Sequence, residues 1–116
     1  MRAKIFDDAI VILSSTVDVH TSGAVIYTPT KSSASYSIPY RSIVCKDFDN
    51  IWMAGRNVSA DRYAHGAVRV MPPSIAMGQA AGIAATIACK NCVKAKEVPY
   101  VELKEMLLTQ NVYLGK

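Results

Sequence analysis

The charge-free stretch at residues 70–89 constrains the fold more than any other feature of the sequence. It reads VMPPSIAMGQAAGIAATIAC and combines two glycines with a run of alanines. Because proline is well tolerated in the first turn of a helix, the pattern predicts one long helix from about Pro73 to Lys90. Several faces of this helix carry almost no side-chain bulk, so it needs neighbours on all sides.

Short runs of β-branched or alternating residues in the first third of the chain predict strands. A turn signal at Ser22-Gly23 favours a hairpin or meander there. Residues 36–44, YSIPYRSIV, read as extended chain, since a residue before proline is biased away from helix. The predicted runs are AIVIL at 9–13, STVDVH at 15–20 and AVIYT at 24–28.

The rest of the chain alternates between turns and helices. Residues 49–55, DNIWMAG, predict a buried strand that ends at a glycine turn. A polar, partly helical stretch follows, with Ser59 as its N-cap. Residues 99–111 predict an amphipathic helix with apolar Val101, Leu103, Met106 and Leu107. The fold class is therefore α/β or α+β, within one domain or part of one.

Composition and charge narrow the function classes. Hydrophobic residues make up 51% of the 116 residues and charged residues 19%, so the chain builds a core and is not disordered. The net charge is +4, but the cations are scattered, and the loose cluster at 90–96 is typical of a solvated connection rather than a nucleic-acid surface. Two prolines, two glycines and Gln79 argue against a membrane span at 70–89. We expect a cytoplasmic protein, because acidic residues interrupt the apolar region that a signal peptide requires.

Three cysteines are present, and Cys89 and Cys92 form a CxxC motif. The two histidines show no zinc-ligand spacing with it, so no metal site is predicted. A redox pair at the end of a helix and reduced, structurally incidental thiols both remain open.

The order of a strand, Ala54-Gly55, a polar turn and a small-residue helix suits a ligand. A glycine after a strand lets the backbone approach closely, and a helix N-terminus offers N–H groups and a positive dipole end to phosphate or to the pyrimidine edge of a flavin. Gly78 and Gly82, with neighbouring alanines, provide a flat face. A packing helix that holds no ligand is the alternative.

Three segments in this order resemble the C-terminal, flavin-contacting part of FAD-dependent oxidoreductases with a glutathione-reductase-like fold. The resemblance extends to about residue 110, and its two upstream segments resemble the corresponding stretch in one bacterial branch of these proteins. The segments are FDDAIVILSSTVDVH, YSIPYRSIVCK and DNIWMAGRNVSADRYAHGAVRVMPPSIAMGQAAGIAA. A partial FAD-binding, Rossmann-like fold is implied, with FAD as the cofactor.

The resemblance implies flavin contacts for three groups of residues. The strand that ends at Ala54, Gly55 and Arg56 would run along the ribityl chain and pyrophosphate, although many relatives have an acidic residue in place of this arginine. The helix start, from Ser74 through Ile75 to Ala76, would point at the electron-rich edge of the isoalloxazine. Behind it lie Gly78, Gln79 and Gly82.

The segment HGAVR at 65–69 resembles the HGANR of fumarate reductase and succinate dehydrogenase flavoproteins, with Val68 replacing asparagine. This resemblance implies that His65 and Arg69 handle a substrate carboxylate and that the arginine serves in proton transfer. Tyr40 and Arg41 would approach the substrate side. Structural roles for all four, such as Arg69 pairing with Asp61 or capping a turn, remain open.

Complete members of this superfamily open with a GxGxxG segment that cradles the FAD pyrophosphate, and this sequence has none. We therefore expect a C-terminal fragment of a flavoprotein that is inactive alone, and that joins the GxGxxG portion or self-associates through an exposed apolar patch. The expected organisation is 1–46 for the end of the substrate-domain β region, 47–92 for the FAD-domain part and 93–116 for the last helix. Two other functions stay open: a protein-interaction module using the small-residue helix, and an anion binder using its N-terminus with Arg69.

Overall fold

Helices dominate the second half of the chain and short strands the first half. The computed structural model describes residues 4–14, 17–21, 23–28 and 35–115. In chain order the elements are β1 (Ala9–Leu13), β2 (Val17–Thr21), β3 (Ala24–Thr28), β4 (Tyr36–Pro39), a 3-10 turn (Tyr40–Ser42), α1 (Arg62–Val68), α2 (Met71–Asn91), a second 3-10 turn (Ala95–Glu97) and α3 (Tyr100–Thr109). The predicted mixed architecture is confirmed in its α+β form.

The described strands pair as two antiparallel ribbons. β1 pairs with β4, with a register irregularity between Ala9 and Val11, and β2 pairs with β3. Gly23 has a φ of 96°, a backbone conformation that glycine adopts without a Cβ penalty, and it closes the predicted hairpin. Ser22, the other half of the turn signal, and residues 15–16 of the predicted strand lie outside the described residues.

α2 is the central element of the core. One face packs against β1 and α3, and its buried residues are Pro73, Met77, Ala80, Ile83, Ala84, Ile87 and Ala88. The small alanines allow the helix to lie close to its neighbours, while Met77 and the isoleucines fill the remaining space. The predicted long helix is confirmed, and it begins two residues earlier than Pro73.

α3 packs against the buried face of α2. Leu103 and Leu107 are fully buried and one turn apart, whereas Val101 and Met106 lie on the exposed side. The amphipathic helix predicted at 99–111 is therefore confirmed, with two of the four predicted apolar positions forming its buried stripe.

Tyrosine hydroxyls connect the elements across the core. Tyr40 Oη donates to the Ala95 carbonyl at 2.7 Å and accepts from Trp52 Nε1 at 2.8 Å. Tyr100 Oη donates to the Ala9 carbonyl at 2.8 Å. Each of these bonds satisfies a buried polar group that would destabilise the fold if it had no partner.

Three local predictions are wrong. Residues 49–55 do not form a buried strand, because Trp52 makes only a single bridge to Val44 and has no ladder of partners. The chain after Pro39 turns into a 3-10 helix instead of continuing extended to residue 44. Asp61, rather than Ser59, caps α1, because its carboxylate directly precedes the first helical residue.

Among the described residues, no helix combines the length and apolarity that crossing a membrane requires. The division of the chain into a substrate-domain part at 1–46, an FAD-domain part at 47–92 and a last helix at 93–116 remains a prediction.

Candidate functional site

An open cleft lies where α1 ends and α2 begins. Its volume is about 570 Å³, and it is lined by Arg56, His65, Arg69, Val70, Met71 and Pro72. Only two residues, Arg69 and Val70, separate the helices, so the last turn of α1 and the first turn of α2 form adjoining walls. The cleft thus gathers three basic residues at the start of the longest helix that the structure describes.

Hydrogen bonds to backbone carbonyl groups hold the three basic residues together. His65 Nε2 lies 3.0 Å from the Arg56 carbonyl oxygen. Arg56 Nε donates to the Arg69 carbonyl at 3.3 Å, and the Arg69 N–H donates to the His65 carbonyl at 3.1 Å. Each residue is therefore connected to both of the others, and the loop that carries Arg56 is fixed against the end of α1.

The position of His65 depends on how α1 begins. Asp61 Oδ1 accepts from the Ala64 N–H at 2.8 Å, which satisfies an otherwise unpaired donor of the first turn. His65 follows one residue later and sits on the cleft side of α1. Arg69 is the C-terminal cap of the same helix. Arg69 therefore ends the helix through its backbone and also lines the cleft, and the choice between a structural and a functional role for its side chain remains a prediction.

The start of α2 makes the cleft electropositive. The helix dipole places roughly half a positive charge at this end, and two guanidinium groups stand beside it. Direct N–H donation is limited, because Pro72 and Pro73 have no N–H and the Ser74 N–H donates to the Val70 carbonyl at 3.3 Å. At most the N–H groups of Val70 and Met71 are left for a ligand. The cleft is suited to an anion or an electron-rich edge held mainly by charge.

This geometry changes the prediction for the helix start. The sequence predicted a helix from about Pro73, with Ser74 to Ala76 at its start. α2 begins at Met71, so Ser74 to Ala76 already belong to its first and second turns. Ser74 Oγ donates back to the Val70 carbonyl at 3.0 Å. Ile75 is 70% exposed, and Ala76 packs partly against the core. The backbone of this triplet is occupied within the helix.

The predicted Ala54-Gly55 turn is present without the strand that was expected before it. Gly55 has a φ of 102°, and its carbonyl accepts from the Val58 N–H at 3.1 Å. The left-handed conformation reverses the chain at a position that a side chain would strain. The turn delivers Arg56 to the cleft, while Ala54 is exposed beside it.

Gly78, Gln79 and Gly82 lie further along α2 and do not line the cleft. A Cβ added at either glycine would meet nothing within 4 Å, so the flat face they form is open. Gln79 Nε2 donates to Gln110 Oε1 at 3.0 Å, which links α2 to the end of α3.

Tyr40 and Arg41 are placed away from the cleft. Tyr40 belongs to the core, and burial raises the pKa of its hydroxyl, while the hydrogen bond from Trp52 lowers it by a smaller amount. Arg41 forms an ion pair with Asp8 and lies over the Phe6 ring, 4.9 Å from its centre. Their approach to a substrate remains a prediction.

Sequence reasoning assigned Arg56 to a pyrophosphate and did not connect it with His65. No spacing rule links the two, because the contact depends on the turn at Gly55.

The sequence also did not predict a second, smaller cavity of about 280 Å³. It lies between β4 and the start of α1, and its lining includes Phe6, Tyr36, Ile38, Ser59 and Asp61.

The described residues contain no group of three or more His, Cys, Asp or Glu side chains that could hold a metal ion.

Comparison with curated proteins gave no match. Comparison with solved structures also gave none. The family model described as FAD dependent oxidoreductase matches residues 1–107, which is nearly the whole chain. This chain belongs to the FAD-dependent oxidoreductase family.

Proposed function

We propose that this chain is the C-terminal, flavin-contacting part of a bacterial FAD-dependent oxidoreductase with a glutathione-reductase-like fold. The observation that carries the proposal is the gathering of Arg56, His65 and Arg69 in one electropositive cleft at the start of α2. Flavin presents two features that such a cleft attracts, the pyrophosphate and the pyrimidine edge, which becomes negative on reduction. The bound FAD would accept hydride from a small-molecule substrate.

The proposal assigns the cofactor to the cleft and to the adjoining face of α2. Ala54, Gly55 and Arg56 would lie along the ribityl chain and pyrophosphate, with Arg56 contributing charge where many relatives have a carboxylate. The start of α2 would stabilise the pyrimidine edge through its dipole rather than through a row of N–H donors. Gly78 and Gly82 would allow close approach, since the space above them is open.

His65 and Arg69 would bind the substrate. Both residues border the cleft, and the Arg69 backbone N–H donates to the His65 carbonyl, so the two side chains start from adjoining points and could bind one carboxylate together. An arginine beside the reacting carbon could also move a proton, as the resemblance to HGANR implies. Substrate binding would then depend on His65 being held against the Arg56 carbonyl.

A flavin titration tests the proposal. The purified chain is titrated with FAD and followed by calorimetry and by flavin absorbance. Saturable binding in the micromolar range, about −8 kcal/mol, is expected if the cleft forms an autonomous half-site. Arg56→Gln should weaken binding about tenfold, because it removes one charge-assisted contact.

Lys104→Gln provides the matched control, since it removes one exposed positive charge on α3, outside the cleft. An equal loss of affinity in both variants would mean that flavin responds only to net charge. The absence of a saturable flavin signal would contradict a half-site in this chain and would leave flavin affinity to the GxGxxG portion.

The second candidate function is a protein-interaction module that uses the open face of α2. Met71 is 75% exposed and Ile75 is 70% exposed, and both lie on the same side of the helix as Gly78 and Gly82. A partner helix or a second copy could approach closely there. Gly78→Leu should then abolish association in sedimentation while leaving any flavin signal unchanged. Loss of the flavin signal with unchanged association would favour the cofactor.

A further inference from the structure

Two exposed thiols lie at the C-terminal end of α2, at the opposite end of the helix from the basic cleft. Cys89 lies in the last helical turn, Cys92 directly follows the helix, and both are free and exposed. Between Met71 and Cys89 the helix rises by roughly 27 Å at 1.5 Å per residue. Neither thiol takes part in the function proposed above.

The backbone keeps the two cysteines within disulfide reach. The Cys92 N–H donates to the Cys89 carbonyl at 3.4 Å, and the Val93 N–H donates to the Ala88 carbonyl at 3.0 Å. These are the two hydrogen bonds of a Schellman motif, which ends a helix with a tight reversal. A turn of this kind brings the Cα atoms of its first and fourth residues within about 7 Å. Disulfides span about 4.4–6.8 Å between Cα atoms.

The conformation of Cys92 directs its sulfur back towards Cys89. Cys92 has φ 52° and ψ 42°, the left-handed region that glycine or asparagine usually occupies at this position. Its Sγ lies 3.8 Å from the Cys89 carbonyl oxygen. A cysteine therefore occupies a strained backbone position where glycine would be easier, and its sulfur lies beside the backbone carbonyl of Cys89.

We propose that Cys89 and Cys92 form a thiol–disulfide exchange site for low-molecular-weight disulfides such as glutathione disulfide. One cysteine thiolate attacks a glutathione sulfur, forming a mixed disulfide and releasing one glutathione thiol. The second cysteine attacks the protein sulfur of that mixed disulfide and releases the second glutathione thiol. The protein dithiol is oxidised, the added disulfide is reduced, and both thiol protons leave with the two glutathione molecules.

The sequence between the cysteines makes the product easy to identify. Trypsin cleaves after Lys90, which lies between Cys89 and Cys92, and after Arg69 and Lys94. An internal disulfide therefore joins peptide 70–90 to peptide 91–94 in a digest made without reductant. A bond to Cys45 would instead involve peptide 42–46, so mass spectrometry separates the two linkages.

The experiment treats the full chain with glutathione disulfide, blocks the remaining thiols and analyses the digest. We expect the 70–90 peptide linked to 91–94, and complete loss of this product on adding excess reduced glutathione. Cys92→Ser should accumulate a stable mixed disulfide on Cys89, because the resolving thiol is gone. Cys92→Gly should do the same while retaining the left-handed turn, which keeps the test informative if serine disturbs the helix end.

Cys45→Ser is the matched control, since it removes the third, half-buried thiol and leaves the turn intact. It should form the 70–90 and 91–94 linkage as readily as the unmodified sequence. Mixing chains labelled with ¹⁵N and unlabelled chains distinguishes bonds within a chain from bonds between chains. Linked peptides carrying one label of each kind, or glutathione retained on both cysteines, would overturn the proposal.

Discussion

The two sides of α2 are almost equally free of charge, yet one forms the core and the other faces outwards. Met77, Ala80 and Ala84 are fully buried, whereas Met71 and Ile75 are among the most exposed apolar residues of the described chain. The difference follows from which neighbours the chain provides, since β1 and α3 both pack against one side. Hydrophobicity alone does not assign a face when a helix is apolar all round.

The largest effect should come from the buried side. Met77→Ala removes a fully buried side chain and leaves a cavity between α2 and its neighbours. We expect the free energy of unfolding to fall by about 2–5 kcal/mol, measured by urea denaturation. Met71→Ala, on the outward side, is the matched control and should cost far less. Similar losses in the two variants would mean that the outward side is also covered in solution.

Tyr40→Phe tests the same core at a polar point. It removes the hydroxyl that joins Trp52 to Ala95, and we expect the free energy of unfolding to fall by about 1–2 kcal/mol. Trp52→Phe, which removes the Nε1 donor together with part of the indole ring and leaves the bond to Ala95, should cost less. A larger loss in Trp52→Phe would mean that packing of the indole ring, rather than the hydrogen bond, dominates.

The pKa of Tyr40 predicts a dependence on pH. The folded protein holds this proton more tightly, because burial raises the pKa above its ordinary value of 10.0. As the pH rises above 10.0, the unfolded chain loses the proton first, so the free energy of unfolding decreases from there upwards. Tyr40→Phe should reduce this decline. Part of it should persist, because burial and then the charges of Asp8 and Asp7 raise the pKa of Tyr100.

Substitution of the glycines in α2 should increase the free energy of unfolding, whereas the substitutions above decrease it. Gly78→Ala adds a methyl group that meets open space, and alanine favours helix over glycine by about 0.5–1 kcal/mol. The free energy of unfolding should therefore increase, as measured by chemical denaturation, and Gly82→Ala should behave alike. A loss of stability in a dilute sample would indicate that something already lies on this side of α2.

The smallest effect on stability should come from Ile75→Ser, because this side chain is largely exposed. We expect the free energy of unfolding to change by less than about 0.5 kcal/mol. Self-association, which the sequence predicts, should weaken in sedimentation if this side of α2 is the contact surface. Leu108→Ser, on exposed α3, is the matched control and should leave association unchanged.

Much of the fold could be predicted from the sequence, because the hydrophobic period and the length of most segments indicate the element that they form. β3 matches its predicted residues, and α2 and α3 lie close to theirs, since period and length indicate the same element. The strand predicted at 49–55 is wrong, because a short apolar run forms a buried strand only where neighbouring strands are present to pair with it. Within the described residues its one bridging partner is Val44.

The candidate site was predicted only in part. His65 and Arg69 are four residues apart on a helical segment, so their proximity follows from sequence spacing. Arg56 joins them through a left-handed turn at Gly55 and a carbonyl contact, neither of which leaves a periodic signal. The exact start of α2 was also hidden, because two consecutive prolines are compatible with several starting residues.

The paired prolines at the start of α2 also affect the water in the cleft. Pro72, which lines the cleft, and the buried Pro73 have no N–H group to donate at the end of the helix, and Met71 adds an exposed apolar surface there. Water there has fewer fixed partners, so a ligand can displace it at a smaller enthalpic loss. The end of the helix therefore contributes few fixed hydrogen bonds to a ligand, and the charges of the arginines contribute most of the attraction for an anion.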